Sequence, residues 1–138
     1  MKLIKAIFRV TAPVVAYCLS LAGPIAAQDM PASVYVDISP SFVTNYDEGA
    51  RLKYLKARVS LKVVAESEEM VWHHLPSIQN TLVILFSSQA EENLTSTVGR
   101  ESLRREALEE VKSVMSTLEN GGNQEIEELY FTDFIVQQ

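Results

Sequence analysis

An α+β fold, in which an antiparallel sheet is packed by two main helices, is predicted by three features of the 138-residue sequence. Residues 52–64 alternate apolar and polar side chains with the two-residue period of a strand. Two later segments, 67–86 and 97–118, repeat apolar residues every three or four positions, which is the period of a helix with one buried face. After Gly121-Gly122 the chain returns to an aromatic and β-branched run, residues 126–136, of the composition that strands favour.

Each element has its own signal. Residues 34–38 and 42–46 read as two short strands separated by Ser39-Pro40, because proline lacks a donor and marks an edge or a bend. Asp47-Glu48-Gly49 supplies a turn. In the following strand Leu55, Ala57, Val59, Leu61 and Val63 share one face, and Lys56, Arg58, Ser60 and Lys62 share the other. Ser67 is the expected cap of the first helix, with Glu68 and Glu69 at the positive end of its dipole. Its stripe is Val71, Leu75, Ile78, Leu82 and Leu85 or Phe86; Pro76 within it predicts either a kink or two helical segments. Thr97 is the expected cap of the second helix, whose stripe runs through Leu103, Ala107 or Leu108, Val111, Val114 or Met115, and Leu118. Asn120-Gly121-Gly122-Asn123 ends that helix. The last strand carries apolar residues on both faces, as expected where helices cover one side and a neighbour the other.

The N-terminus reads as an export leader over residues 1–27. Lys2, Lys5 and Arg9 precede an uncharged run from Val10 to Ala27, and Ala26-Ala27 offer a cleavage site. The alternative is a retained anchor, since that run approaches the length needed to cross roughly 30 Å of hydrocarbon; its N-terminus would stay inside by the positive-inside rule. Residues 28–33 form a short linker and residues 34–138 one domain outside the cytoplasm. Cys18, the sole cysteine, falls in the leader, so the exported domain has no disulfide and must be held by packing. Removing Lys2, Lys5 and Arg9 from the 12 basic residues leaves 9 against 18 acidic ones, a balance of −9. Such a domain, with no basic stripe, lacks the footprint of a nucleic-acid binder.

Candidate chemistry is sparse. His73-His74 adjoin Trp72, but consecutive helical residues diverge by about 100°, whereas two metal ligands on one helix face need i, i+4 spacing, and there is no third histidine. No nucleophile elbow, phosphate-binding glycine loop or calcium loop occurs. The glutamates, from Glu66, Glu68 and Glu69 to Glu125, Glu127 and Glu128, sit among polar residues and read as solvated faces. The row Lys56, Arg58 and Lys62 is distinctive: three cations on one strand face of an acidic domain, suited either to contact with an acidic partner or to keeping an exposed strand soluble.

The order of several runs resembles the flagellar basal-body-associated FliL family. These are Tyr35-Val36-Asp37-Ile38-Ser39-Pro40-Ser41-Phe42 at the start, and His74-Leu75-Pro76-Ser77-Ile78 and Gly99-Arg100-Glu101-Ser102-Leu103 in the middle. Leu129-Tyr130-Phe131-Thr132-Asp133-Phe134-Ile135-Val136 closes the pattern. The resemblance implies a stomatin-like periplasmic domain and a non-enzymatic scaffold without cofactor or metal. Its expected setting is the periplasmic face of the inner membrane at the flagellar basal body. There it would form homo-oligomers beside the stator complex, close to the membrane surface, and support motor torque in swimming. The alternative from a different class is a periplasmic ligand-binding or metal-dependent hydrolytic module.

Overall fold

The computed structural model describes residues 31–46 and 53–137. The leader with Cys18, the first half of the linker and the Asp47-Glu48-Gly49 turn lie outside the described residues. Three strands, β1 (Ser33–Tyr46), β2 (Lys53–Val64) and β3 (Ile126–Gln137), form one antiparallel sheet in the order β1-β2-β3. Between β2 and β3 the chain makes a 3-10 turn (Ala65–Ser67) and four helices: α1 (Glu68–His73), α2 (Leu75–Ser87), α3 (Glu91–Thr95) and α4 (Thr97–Leu118). This is the α+β fold that the alternating and helical periods predict.

Leu55, Ala57, Val59, Leu61 and Val63 are all fully buried, together with Val36 and Ile38 of β1 and Ile126 and Leu129 of β3. Val71 of α1, Ile78, Leu82 and Phe86 of α2, and Leu103, Ala107, Val111 and Met115 of α4 complete the same core. Phe86 meets Phe42 edge-on at 5.4 Å and Phe131 at 5.8 Å, which ties α2 to both outer strands. The helices therefore cover one face of the sheet.

Several local readings are corrected. The two expected strands at 34–38 and 42–46 are one strand, since pairing with β2 resumes beyond the proline: Ile38 faces Val59 and Phe42 faces Ala57, with residues 39–41 bulged out and a cis Ser39-Pro40 bond. Ser33, placed in the linker, already belongs to β1. Of the two outcomes expected at Pro76, the two helical segments are found and the kink is not. His74 breaks the run, and Pro76 falls in the first turn of α2, where its missing N–H has no helical acceptor to lose. Ser67 stands at the head of α1 without capping it, because its hydroxyl donates instead to Glu125 Oε2 at 2.6 Å. The cap of α4 is Ser96, not Thr97. Its Oγ accepts from Gly99 N–H at 3.0 Å and donates to the carbonyl of Glu92, so one hydroxyl joins α3 to α4. A Cβ on Gly99 would lie 2.6 Å from the backbone of Asn93, which explains the glycine at this joint. Leu118, assigned to the buried stripe, is exposed at the last position of α4, while Val114 is half-buried and Met115 fully buried.

Candidate interaction surface

Period-two alternation that buries one face of β2 leaves the other face clear of the helices. Register partners define its rows: Tyr35 beside Lys62, Asp37 beside Ser60 and Tyr130, Arg58 beside Asp133, Val43 beside Lys56 and Ile135, and Asn45 beside Tyr54 and Gln137. Tyr35 and Tyr130 meet across the sheet at 6.1 Å, and Ser60 between their strands is buried. Tyr35, Val43, Tyr54, Tyr130 and Ile135 are all exposed. An aromatic and aliphatic surface with cations set into it is thus presented outward.

The three cations of the predicted row do not behave alike. Lys62 Nζ lies 2.7 Å from Glu127 Oε2, and the Ser33 hydroxyl donates to the same carboxylate at 2.9 Å. The hydrogen bond from Lys62, then that from Ser33, holds the Glu127 carboxyl below its ordinary range, and the same bond to Glu127 raises Lys62. Glu127 stands at the register shift between Lys62 and Val63, and the extra residue turns its side chain to this partner. Lys62 is therefore tied into the three-strand junction, whereas Lys56 and Arg58 make no ion pair among the described residues. Lys56 is flanked by Val43, 67% exposed, and Ile135, 51% exposed. Arg58 sits where both neighbouring strands bulge: residues 39–41 loop out on the β1 side, and Thr132 is extra on the β3 side. Paired bulges increase local twist and re-aim side chains, so Arg58 is presented on the most irregular part of the surface.

The other candidates resolve differently. His73 ends α1 and His74 occupies the break before α2, so the two are not a consecutive pair on one helix surface. His74 Nε2 lies 2.8 Å from Glu119 Oε1 at the end of α4, and the His73 ring packs edge-on against it at 4.8 Å. Among the described residues no three His, Cys, Asp or Glu side chains come together as a metal site. A groove of about 480 Å³ between α2 and α4, lined by Ser77, Asn80, Thr81, Ser113 and Thr117, holds hydroxyls and an amide but no titratable side chain to activate them. On the opposite side of α4, Arg104 bridges Glu101, Glu128 and the carbonyl of Leu129. Hydrogen bonds from Arg104, and then from Arg105, pull the Glu101 carboxyl down to about 2. No described helix is long and apolar enough to cross a membrane.

Sequence reasoning picked out the cationic row but missed its division into one tied and two free members, because the bulges at residues 39–41, 127 and 132 that create it have no periodic signature. The tyrosines of the open face were legible only as strand formers. Comparison with known proteins supplies what geometry does not. The family described as flagellar basal body-associated protein FliL matches residues 35–137. A curated relative, the flagellar protein FliL of Aquifex aeolicus (strain VF5), is 25% identical over 101 residues, covering 72% of this chain. The alignment spans 59% of that relative's own length.

Proposed function

Since the chain belongs to the family of the flagellar basal body-associated protein FliL, we propose that it is a non-enzymatic scaffold of the bacterial flagellar basal body, acting by binding and not by turnover. In this reading it works at the periplasmic face of the inner membrane, assembles with itself beside the stator units, and supports motor torque in swimming. The observation that carries the proposal is the open sheet face. Two cations that make no ion pair among the described residues, Lys56 and Arg58, are set among exposed Val43, Tyr54 and Ile135 in an acidic domain. That mixture of apolar anchors and unneutralised charge suits a carboxylate-bearing protein surface, on a stator component or a neighbouring protomer.

The test is swimming of a clean deletion strain in media of rising viscosity, with complementation and a count of assembled flagella. Normal flagella with speed falling disproportionately at high load are expected. Unaffected swimming at every load would overturn the proposal. Crosslinking in cells is expected to trap the protein with itself or with a stator subunit.

A further inference from the structure

The bulges at residues 39–41 of β1 and at Thr132 of β3 cross the sheet at one level and divide its open face in two. Lys56 and Arg58 lie on one side of that line. On the other side the register rows are Asp37, Ser60 and Tyr130, then Tyr35, Lys62 and Glu128. Neighbouring strands lie about 4.8 Å apart, so β1 and β3 are separated by roughly twice that across β2. The Tyr35 and Tyr130 ring centroids are nevertheless only 6.1 Å apart, tilted by 49°. The two rings therefore lean towards each other above β2, which accounts for the burial of Ser60 on an otherwise open face. They form an aromatic platform with a polar rim. Asp37 is exposed beside it and makes no hydrogen bond or ion pair among the described residues. Lys62 is close enough to both phenols to interact with them electrostatically, and Glu127 and the Ser33 hydroxyl hold it in place.

We propose that this platform binds an uncharged, β-linked carbohydrate chain, with C–H faces of its sugar rings stacked on Tyr35 and Tyr130 and its hydroxyls bonded to Asp37, Lys62 and Glu127. A sugar ring with equatorial substituents presents bare C–H groups, slightly positive, to the negative face of an aromatic ring. Tyrosine offers that face as a rigid surface whose ordering costs little entropy. The rim decides the rest. An anionic ligand would meet the unpaired Asp37 carboxylate in an acidic domain, and a cationic one would meet the Lys62 ammonium already beside both phenols. A wholly apolar ligand would strip water from the ammonium, the carboxylates and the phenols without replacing it. Hydroxyl groups both donate and accept, so a polyhydroxylated ligand satisfies the donors and the acceptors of the rim together. The surface is open rather than enclosed, which suits a chain passing over it more than a small molecule held in a pocket. A cross-strand tyrosine pair also steadies a sheet, but Tyr35 keeps 64% of its surface in water, so that contact leaves most of the side chain available. The site lies beyond the bulges from Lys56 and Arg58 and does not depend on the flagellar reading.

The test titrates the full chain with the tetramer of β-1,4-linked N-acetylglucosamine, an uncharged chain with equatorial substituents, followed by calorimetry and by amide NMR. Saturable binding is expected, with the largest shifts at Tyr35, Asp37, Ser60, Lys62 and Tyr130. Tyr35→Ala and Tyr130→Ala are each expected to raise Kd at least about tenfold, as for aromatic anchors of an interface. Asp37→Ala, at an exposed side chain without a partner, is expected to raise Kd about threefold or more with an unchanged melting temperature. Lys56→Glu with Arg58→Glu is expected to leave the affinity as it is. Absence of saturable binding up to the solubility of the tetramer would overturn the proposal, as would shifts confined to other parts of the domain. If Tyr35→Ala and Tyr130→Ala lower the melting temperature but leave the affinity unchanged, the pair serves the sheet alone and the proposal fails. Binding lost in Lys56→Glu with Arg58→Glu but kept in both tyrosine variants would move the carbohydrate to the cationic half and overturn it as well. None of these outcomes bears on swimming, which tests the flagellar reading separately.

Discussion

The two faces of β2 share one backbone and have opposite fates. Leu55, Ala57, Val59, Leu61 and Val63 vanish beneath α1, α2 and α4, while Lys56 and Arg58 stand in water among exposed apolar neighbours. The difference separates two uses of the same alternation. The inner face sets the stability of the domain, since buried apolar area removed from water is the main favourable contribution. Among the cations of the outer face only Lys62 is tied into the fold, through Glu127, while Lys56 and Arg58 make no ion pair among the described residues and add little to folding.

The comparison is sharpened first from its stable side. Leu82→Ala, which empties a fully buried site in α2 above the sheet, is expected to cost about 2–5 kcal/mol by chemical denaturation. A cost near zero would mean that the helices are not seated on this face. Next in size is the joint that delivers α4 to the sheet. Ser96→Ala is expected to lose about 0.5–2 kcal/mol through the cap, whereas Thr97→Ala, one residue on, is expected to change stability far less. Equal losses would contradict the assignment of the cap to Ser96.

That pair of substitutions also marks where the sequence stops being legible. Thr95, Ser96 and Thr97 are three adjacent hydroxyl residues, any of which has the chemistry of a cap. The choice is made by α3, a short helix whose Glu92 carbonyl takes the Ser96 hydroxyl as a second partner. No five-residue helix announces itself by periodicity. The strand period of β2 and the stripe of α4 were readable because each repeats over several turns or residues. By contrast, Ser67 turned from its expected cap to Glu125, and Lys62 turned from the free row to Glu127. Both partners lie about 60 residues away in sequence, brought close only by β3 folding back beside β2. The continuity of β1 through Pro40 was hidden for the same reason: it depends on pairing with β2 on both sides of a bulge.

A smaller effect concerns acid. Glu101 is held at about 2 by Arg104 and Arg105. A carboxyl depressed in the folded state stabilises at pH above its unfolded value near 4.5 and loses that contribution as pH falls towards 2. The melting temperature is therefore expected to drop across that window, and the drop is expected to be shallower in Glu101→Gln, whose side chain no longer titrates. Because these groups are exposed to solvent, added salt is expected to shrink the difference.

Smallest in stability is reversal of the two free cations. Lys56→Glu with Arg58→Glu is expected to move unfolding by no more than about 0.5 kcal/mol per site, as for surface positions outside ion pairs. Under the proposed function its effect is expected in binding. The same change at Lys62 is expected to be felt in folding, because it leaves Glu127 facing a second carboxylate at the junction of three strands.

The most direct test of the open face as the working surface is one paired measurement on Lys56→Glu with Arg58→Glu, made in cells and on the purified chain. The account predicts an unchanged melting temperature together with swimming that fails disproportionately as viscosity rises. Normal swimming at every load in a strain that carries the folded, charge-reversed protein would contradict it.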